Sequence, residues 1–183
     1  MIADILIPLI TTGLAEFGDK TQLTILLLSS KTEKHLHLLL GVMFAFLIVD
    51  GVAVLVGTWV TNVVPISLLK IFSGIIFIIL GGLLLNQHQR KEEIRLYWGN
   101  SFLSGFTLIF ITEWGDKTQI TSGIFATQYN PFLVLTGAVA ALALLSGMAV
   151  YLGKFVSNKV DKKLMTKIAG TVFMLMGISF FLF

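Results

Sequence analysis

The stretch Leu14-Ala-Glu-Phe-Gly-Asp-Lys-Thr-Gln22 returns later in the chain as Ile111-Thr-Glu-Trp-Gly-Asp-Lys-Thr-Gln119. From the glutamate onward six of seven positions are identical, at an offset of 97 residues. The echo continues at an offset of 96, pairing Gly41 with Gly137, Gly51 with Gly147, Gly57 with Gly153, Asn62 with Asn158, Gly74 with Gly170 and Gly81 with Gly177. One residue lost between the motif and the next apolar run accounts for the change. The chain is a duplication, and each copy carries a charged cluster inside an apolar run.

Those runs set the class. Of 183 residues, 56% are hydrophobic and 13% charged, with a mean hydropathy of +0.91. A soluble domain is nearer 45–50% apolar and about a quarter charged, and a small soluble globule cannot bury such an excess. Long apolar runs exclude disorder. The absence of cysteine excludes disulfides, thiolate metal sites and thiol nucleophiles.

About 20 apolar residues cross the hydrocarbon core of a bilayer. Six stretches qualify: Ile2–Leu28, Leu38–Val60, Ile66–Leu85, Gly99–Ala126, Phe132–Gly153 and Leu164–Phe183. Each is expected to be a helix, because a single run in lipid must satisfy its own backbone hydrogen bonds. Three spans per copy is an odd number, so the second copy enters the bilayer from the opposite side. The expected fold is an all-α membrane protein of six transmembrane helices in two inverted three-helix repeats, 1–86 and 99–183. A cytoplasmic connector, 87–98, joins them.

Charge in the loops orients the chain. Lys31, Lys34, Arg90, Lys91, Arg95, Lys154, Lys159, Lys162, Lys163 and Lys167 lie in or beside the odd-numbered loops, whereas Lys70 is alone near the other face. The positive-inside rule places the odd loops in the cytoplasm and both termini outside. The net charge of +3 is therefore read as a topology signal and not as a nucleic-acid site. Met1–Leu9 lacks a basic start and a small-residue cleavage site, so the first span is expected to remain in the mature protein. His35, His37 and His88 are assigned to solvated cytoplasmic loops.

An ionised group at the bilayer centre costs at least ~2.5 kcal/mol and marks function by default. On a continuous helix, residues three and four apart share a face, which would bring Glu16, Asp19 and Lys20 together, and likewise Glu113, Asp116 and Lys117. Four carboxylates and two ammonium groups sum to −2, which one divalent cation or two protons neutralise. A pocket that must not be both dry and charged holds one or the other, and this couples their movements. Carboxylates with the Thr21 and Thr118 hydroxyls and the Gln22 and Gln119 carbonyls form a hard oxygen set, suited to Ca²⁺, Mn²⁺ or Mg²⁺ rather than Zn²⁺ or Cu⁺. Those four neutral residues read equally as interhelical hydrogen-bonding groups. Lys20 and Lys117 read as ion-pair partners of the acids, as direct participants, or as stand-ins for the cation. Asp50, alone in the second span and paired by the repeat with Ser146, reads as a proton carrier, an extra ligand, or a protonated, hydrogen-bonded side chain.

Glu16-Phe-Gly-Asp-Lys-Thr21 and Glu113-Trp-Gly-Asp-Lys-Thr118 resemble the signature of the GDT family of calcium/manganese–proton antiporters, and the likeness covers the whole chain. The resemblance implies proton-driven export of Mn²⁺ and/or Ca²⁺ from the cytosol. It further implies that Glu16, Asp19, Glu113 and Asp116 act as ligands, with Thr21 and Thr118 in support. It also implies a transporter with no resident cofactor and no enzymatic activity. Compactness and the lack of an organellar presequence suggest a form in the plasma membrane. Three rivals use the same acids differently. A divalent cation channel would make them a filter. An intramembrane aspartyl protease would pair them as a dyad, although its expected Gly-x-Gly-Asp is missing. An exporter of small organic solutes would want a positive partner for a substrate carboxylate, which a net −2 does not offer.

Overall fold

A computed structural model describes residues 1–86, 99–156 and 162–182. Connector 87–98 and loop 157–161, with His88, Arg90, Lys91, Arg95, Asn158 and Lys159, lie outside the described residues, as does the side chain of Lys20. Every regular element among the described residues is a helix: α1 (Ile2–Glu16), α2 (Lys20–Ser29), α3 (His35–Val60), α4 (Ile66–Leu85), α5 (Ser101–Thr112), α6 (Lys117–Gln128), α7 (Pro131–Val156) and α8 (Lys162–Leu182). Two of the six expected spans are interrupted at their charged clusters. The stretches Ile2–Leu28 and Gly99–Ala126 are each two helices separated by the charged motif. His35 and His37 also belong to the first turn of α3 rather than to a loop.

Glycine causes both breaks. Gly18 has φ +76° and Gly115 φ +83°, a left-handed conformation that costs an L side chain roughly 1–2 kcal/mol. The chain leaves α1 through an extended Phe17 and enters α6 through an extended Asp116. At 1.5 Å per residue, α5 and α6 are each about 18 Å long, roughly half of what a bilayer requires. Among the described residues, two helices are long and apolar enough to cross a membrane by length and composition: His35–Val60 and Pro131–Tyr151, with mean hydropathies of 2.6 and 2.2. Many large apolar side chains are exposed, among them Leu55, Trp59, Phe132, Leu144 and Leu175. That much apolar surface suits acyl chains better than water.

The packing pairs the two copies. The helix α1 lies on α7 and α3 lies on α5, while α4 and α8 run against each other. Small residues permit the close approach. A Cβ at Gly41 would fall on the Phe102 backbone of α5, and Gly74 and Gly81 of α4 face the Gly177 and Gly170 carbonyls of α8. Without a hydrophobic drive between helices in lipid, such backbone proximity is what gives dispersion its grip.

The buried apolar residues form two clusters. One holds Ile25, Leu38, Val42, Phe46, Leu108, Ile109 and Leu142. The other holds Ala15, Val54, Phe77, Phe125, Val134 and Phe173. Buried polar groups fall between them along the chain. On α3, Asp50 separates Phe46 from Val54, and Glu113 follows Leu108 and Ile109 at the end of α5. A polar layer is thus sandwiched between two apolar ones.

Candidate cation site

The layer is built from the two helix breaks. Because the backbone turns at Gly18 and Gly115, Glu16 and Asp19 are not held together by sharing a helix face, and neither are Glu113 and Asp116. The acids of the first motif still lie together, as expected, but across the break and not on one helix face, and Asp116 of the other copy joins them. One carboxylate oxygen from each of Glu16, Asp19 and Asp116 lies within 4.8 Å of the other two. Lys117 reaches into this trio. Its Nζ is 2.8 Å from Glu16 Oε1 and 3.2 Å from Asp116 Oδ2, and it donates to Asp19 Oδ2. The ammonium thus joins acids from both motifs and touches all three carboxylates.

The threonines cross over. Thr118 Oγ1 donates to Glu16 Oε1 at 2.5 Å, and Thr21 Oγ1 donates to Glu113 Oε1 at 2.5 Å. Each motif's hydroxyl therefore serves the other motif's glutamate. Glu16 and Glu113 are both only 2% exposed, whereas the side chains of Asp19 and Asp116 retain 21% and 26% of their accessible surface. The glutamates form the floor of the site and the aspartates its approach. Glu113 stands outside the trio, held toward Thr21.

Both glutamines stabilise the breaks. Gln22 Oε1 accepts the Gly18 N–H at 3.1 Å, and Gln119 Oε1 accepts the Gly115 N–H at 2.6 Å. An amide freed by a broken helix in lipid costs several kcal/mol if left unpaired, so each motif carries its own remedy four residues on. Gln119 also donates through Nε2 to the Val49 carbonyl at 3.2 Å, tying its break to α3.

Three sets of atoms remain unsatisfied or newly visible. Glu16 Oε2, Glu113 Oε2, Thr12 Oγ1 and Gln22 Nε2 are buried without a hydrogen-bond partner among the described residues. Asp50, 1% exposed, accepts from Ser122 Oγ at 2.8 Å. Thr12 and Ser122 were not singled out by sequence. The available signal was that each lies four residues from a motif residue (Glu16 and Thr118) on one helix face, which is weak in a chain rich in serine and threonine.

Chemically, the cluster is a hard-oxygen basket with an excess of negative charge, held together among the described residues by one ammonium and two hydroxyls. Such a set binds hard divalent cations or protons.

Comparison with known proteins agrees. Residues 4–92 and 101–182 match the family described as "Divalent cation/proton antiporter GDT1". A Vibrio cholerae serotype O1 protein named "Putative manganese exporter" is 30% identical over 175 residues, covering 94% of this chain and 88% of that protein. GDT1-like protein sll0615 of Synechocystis sp. is 25% identical over 193 residues, covering 93% and 92%. GDT1-like protein 5 of Oryza sativa subsp. japonica is 34% identical over 94 residues, 51% of this chain and 40% of its own length. No solved structure matches the chain. With a family match running through both copies and motif residues meeting in one buried polar layer, this membrane protein belongs to the GDT1 family of divalent cation/proton antiporters.

Proposed function

We propose that the protein exports Mn²⁺ and/or Ca²⁺ from the cytosol in exchange for protons, by alternating access around the cluster of Glu16, Asp19, Glu113 and Asp116. The observation that carries this reading is the convergence of Glu16, Asp19 and Asp116 from two separate helix breaks onto one ammonium. Carboxylates so close repel one another unless a positive charge or protons offset them. A divalent cation and protons therefore compete for the same pocket, and moving one favours moving the other. Mn²⁺ is supported by the name of the Vibrio cholerae relative and by the oxygen-only donors.

In this reading the halves 1–86 and 99–183 are inverted repeats joined through 87–98, giving six spans, of which the first and fourth are broken. Both termini face outward from the plasma membrane. Inverted repeats with discontinuous helices place their sites near the midplane, and the polar layer between the two apolar clusters matches that arrangement. Lys117 holds the acids together when no cation is bound and gives way when one enters. Thr21 and Thr118 fix the glutamates across the repeat interface.

The test is uptake of Mn²⁺ and Ca²⁺ into proteoliposomes under an imposed pH gradient, with Glu16→Gln and Asp116→Asn alongside. Saturable uptake that moves protons in the opposite direction, lost in both variants, is expected. Parental rates in both variants would remove the ligand assignment. A conductance that neither saturates nor responds to pH would make the protein a channel.

A further inference from the structure

The two glutamates sit in unequal surroundings. The repeat offsets relate Thr12 to Ile109, Ser122 to Ile25 and Asp50 to Ser146. Near Glu113 the motif-bearing helices therefore carry isoleucines, both part of an apolar cluster. Toward Glu16 the same three positions hold Thr12, Ser122 and Asp50, each 1% exposed. The polar layer thus has a branch on one side only.

That branch follows one face of α6. Ser122 donates to Asp50 at 2.8 Å, and Thr118, one turn earlier on α6, donates to Glu16 at 2.5 Å. Residues four apart on a helix have Cβ atoms about 5–6 Å apart on the same face, so Asp50 and Glu16 are held against one stripe of α6. Thr12 lies one turn before Glu16 on α1, and Thr12 Oγ1 and Glu16 Oε2 are both buried without a partner. Asp50 is not one of the clustered acids. The ionisable side chains on the elements packed against α3 are Lys117 of α6, Lys20 of α2 and Glu113 at the end of α5; α7 offers none before Tyr151.

We infer that Asp50 carries a proton of the exchange along this branch, separately from the groups that hold the cation; this rests on the antiport reading above. When the divalent ion leaves, uncompensated negative charge remains in a layer of low dielectric. The Asp50 carboxylate accepts a proton from the side to which the ion departed. It releases that proton to the opposite side before the next ion enters, so one charge returns without a ligand having to carry it. Ser122 orients the carboxylate for both steps. The second repeat, with Ser146 in the related position, holds no equivalent carrier, so proton movement is tied to one half of the molecule.

Two transport modes separate the possibilities. Isotopic Mn²⁺/Mn²⁺ exchange at equal pH needs the cation site but no net proton movement, whereas pH-driven Mn²⁺ uptake needs both. Proteoliposomes containing the parent, Asp50→Asn and Asp50→Glu would be assayed in both modes, with a trapped pH dye reporting protons. The expected result is parental isotopic exchange in Asp50→Asn, with pH-driven uptake and proton flux lower by about tenfold or more, and restoration in Asp50→Glu. Normal proton-coupled uptake in Asp50→Asn would overturn the inference. Equal loss of both modes in Asp50→Asn and Asp50→Glu would do the same, marking Asp50 as structural. A parent that performs neither mode would instead sink the antiport reading.

Discussion

The crossed threonine bonds allow a comparison between two chemically identical substitutions. Replacing Thr21 or Thr118 by valine exchanges a hydroxyl for a methyl at nearly constant volume, so packing is held fixed. The consequences differ because, among the described residues, the glutamates differ in their partners. Glu113 Oε1 receives Thr21, and its Oε2 has no partner among the described residues. Thr21→Val therefore removes the hydrogen bond that positions a buried carboxylate. A hydrogen bond to a charged group contributes about 1.5–3 kcal/mol, so kcat/KM for proton-driven Mn²⁺ uptake should fall about 10- to 150-fold. Glu16 Oε1 receives Thr118 but also lies 2.8 Å from Lys117 Nζ. Unit charges at that distance attract by about 6 kcal/mol gross at an effective dielectric constant near 20, enough to keep the carboxylate in place. The loss in Thr118→Val should then be that of an ordinary hydrogen bond, about 0.5–1.5 kcal/mol, or roughly two- to tenfold. Initial rates of radioactive manganese uptake in proteoliposomes measure both, and serine at either position should restore transport. If Thr118→Val is impaired as severely as Thr21→Val, or if serine does not rescue position 21, the asymmetric reading of the site is wrong.

Two further outcomes probe the charge and the packing. Lys117→Met leaves three clustered carboxylates without their shared ammonium, a loss on the order of 3–5 kcal/mol for a buried pair. The variant should melt earlier in detergent and gain more from added Mn²⁺ than the parent does, since a ligand binding only the folded state stabilises by mass action; equal shifts in the two proteins would contradict the role given to Lys117. Gly41→Ala drives a Cβ into the Phe102 backbone, while the space beside Gly51 is open to 4 Å. Melting should therefore show Gly41→Ala destabilised by about 1–3 kcal/mol and Gly51→Ala unaffected or slightly improved, and equal stabilities would refute the packing described for α3 and α5.

Much of this architecture is written in local sequence. Apolar runs specify helices because lipid offers the backbone no other partner, and Asp50 and the two motif clusters stand out because charge is costly there. The duplication is legible as identity at a fixed offset. The breaks at Gly18 and Gly115 are less so, since a glycine in a membrane helix serves close packing as readily as a left-handed turn. Gly41 does the first and Gly115 the second. Helical spacing then misleads, because it presumes a helix where the motif ends one.

What the sequence determined by itself was the composition of the site: paired acids, lysines and hydroxyls in each of two copies, within spans that cannot tolerate them singly. What the tertiary structure decided was the pairing. That Thr118 serves Glu16, that Lys117 gathers acids from both copies, and that Ser122 meets Asp50 all depend on which helix faces which. A contact between residues some 70 to 100 positions apart leaves no periodic trace in the chain. It is set by the summed packing of helices whose small residues let their backbones meet.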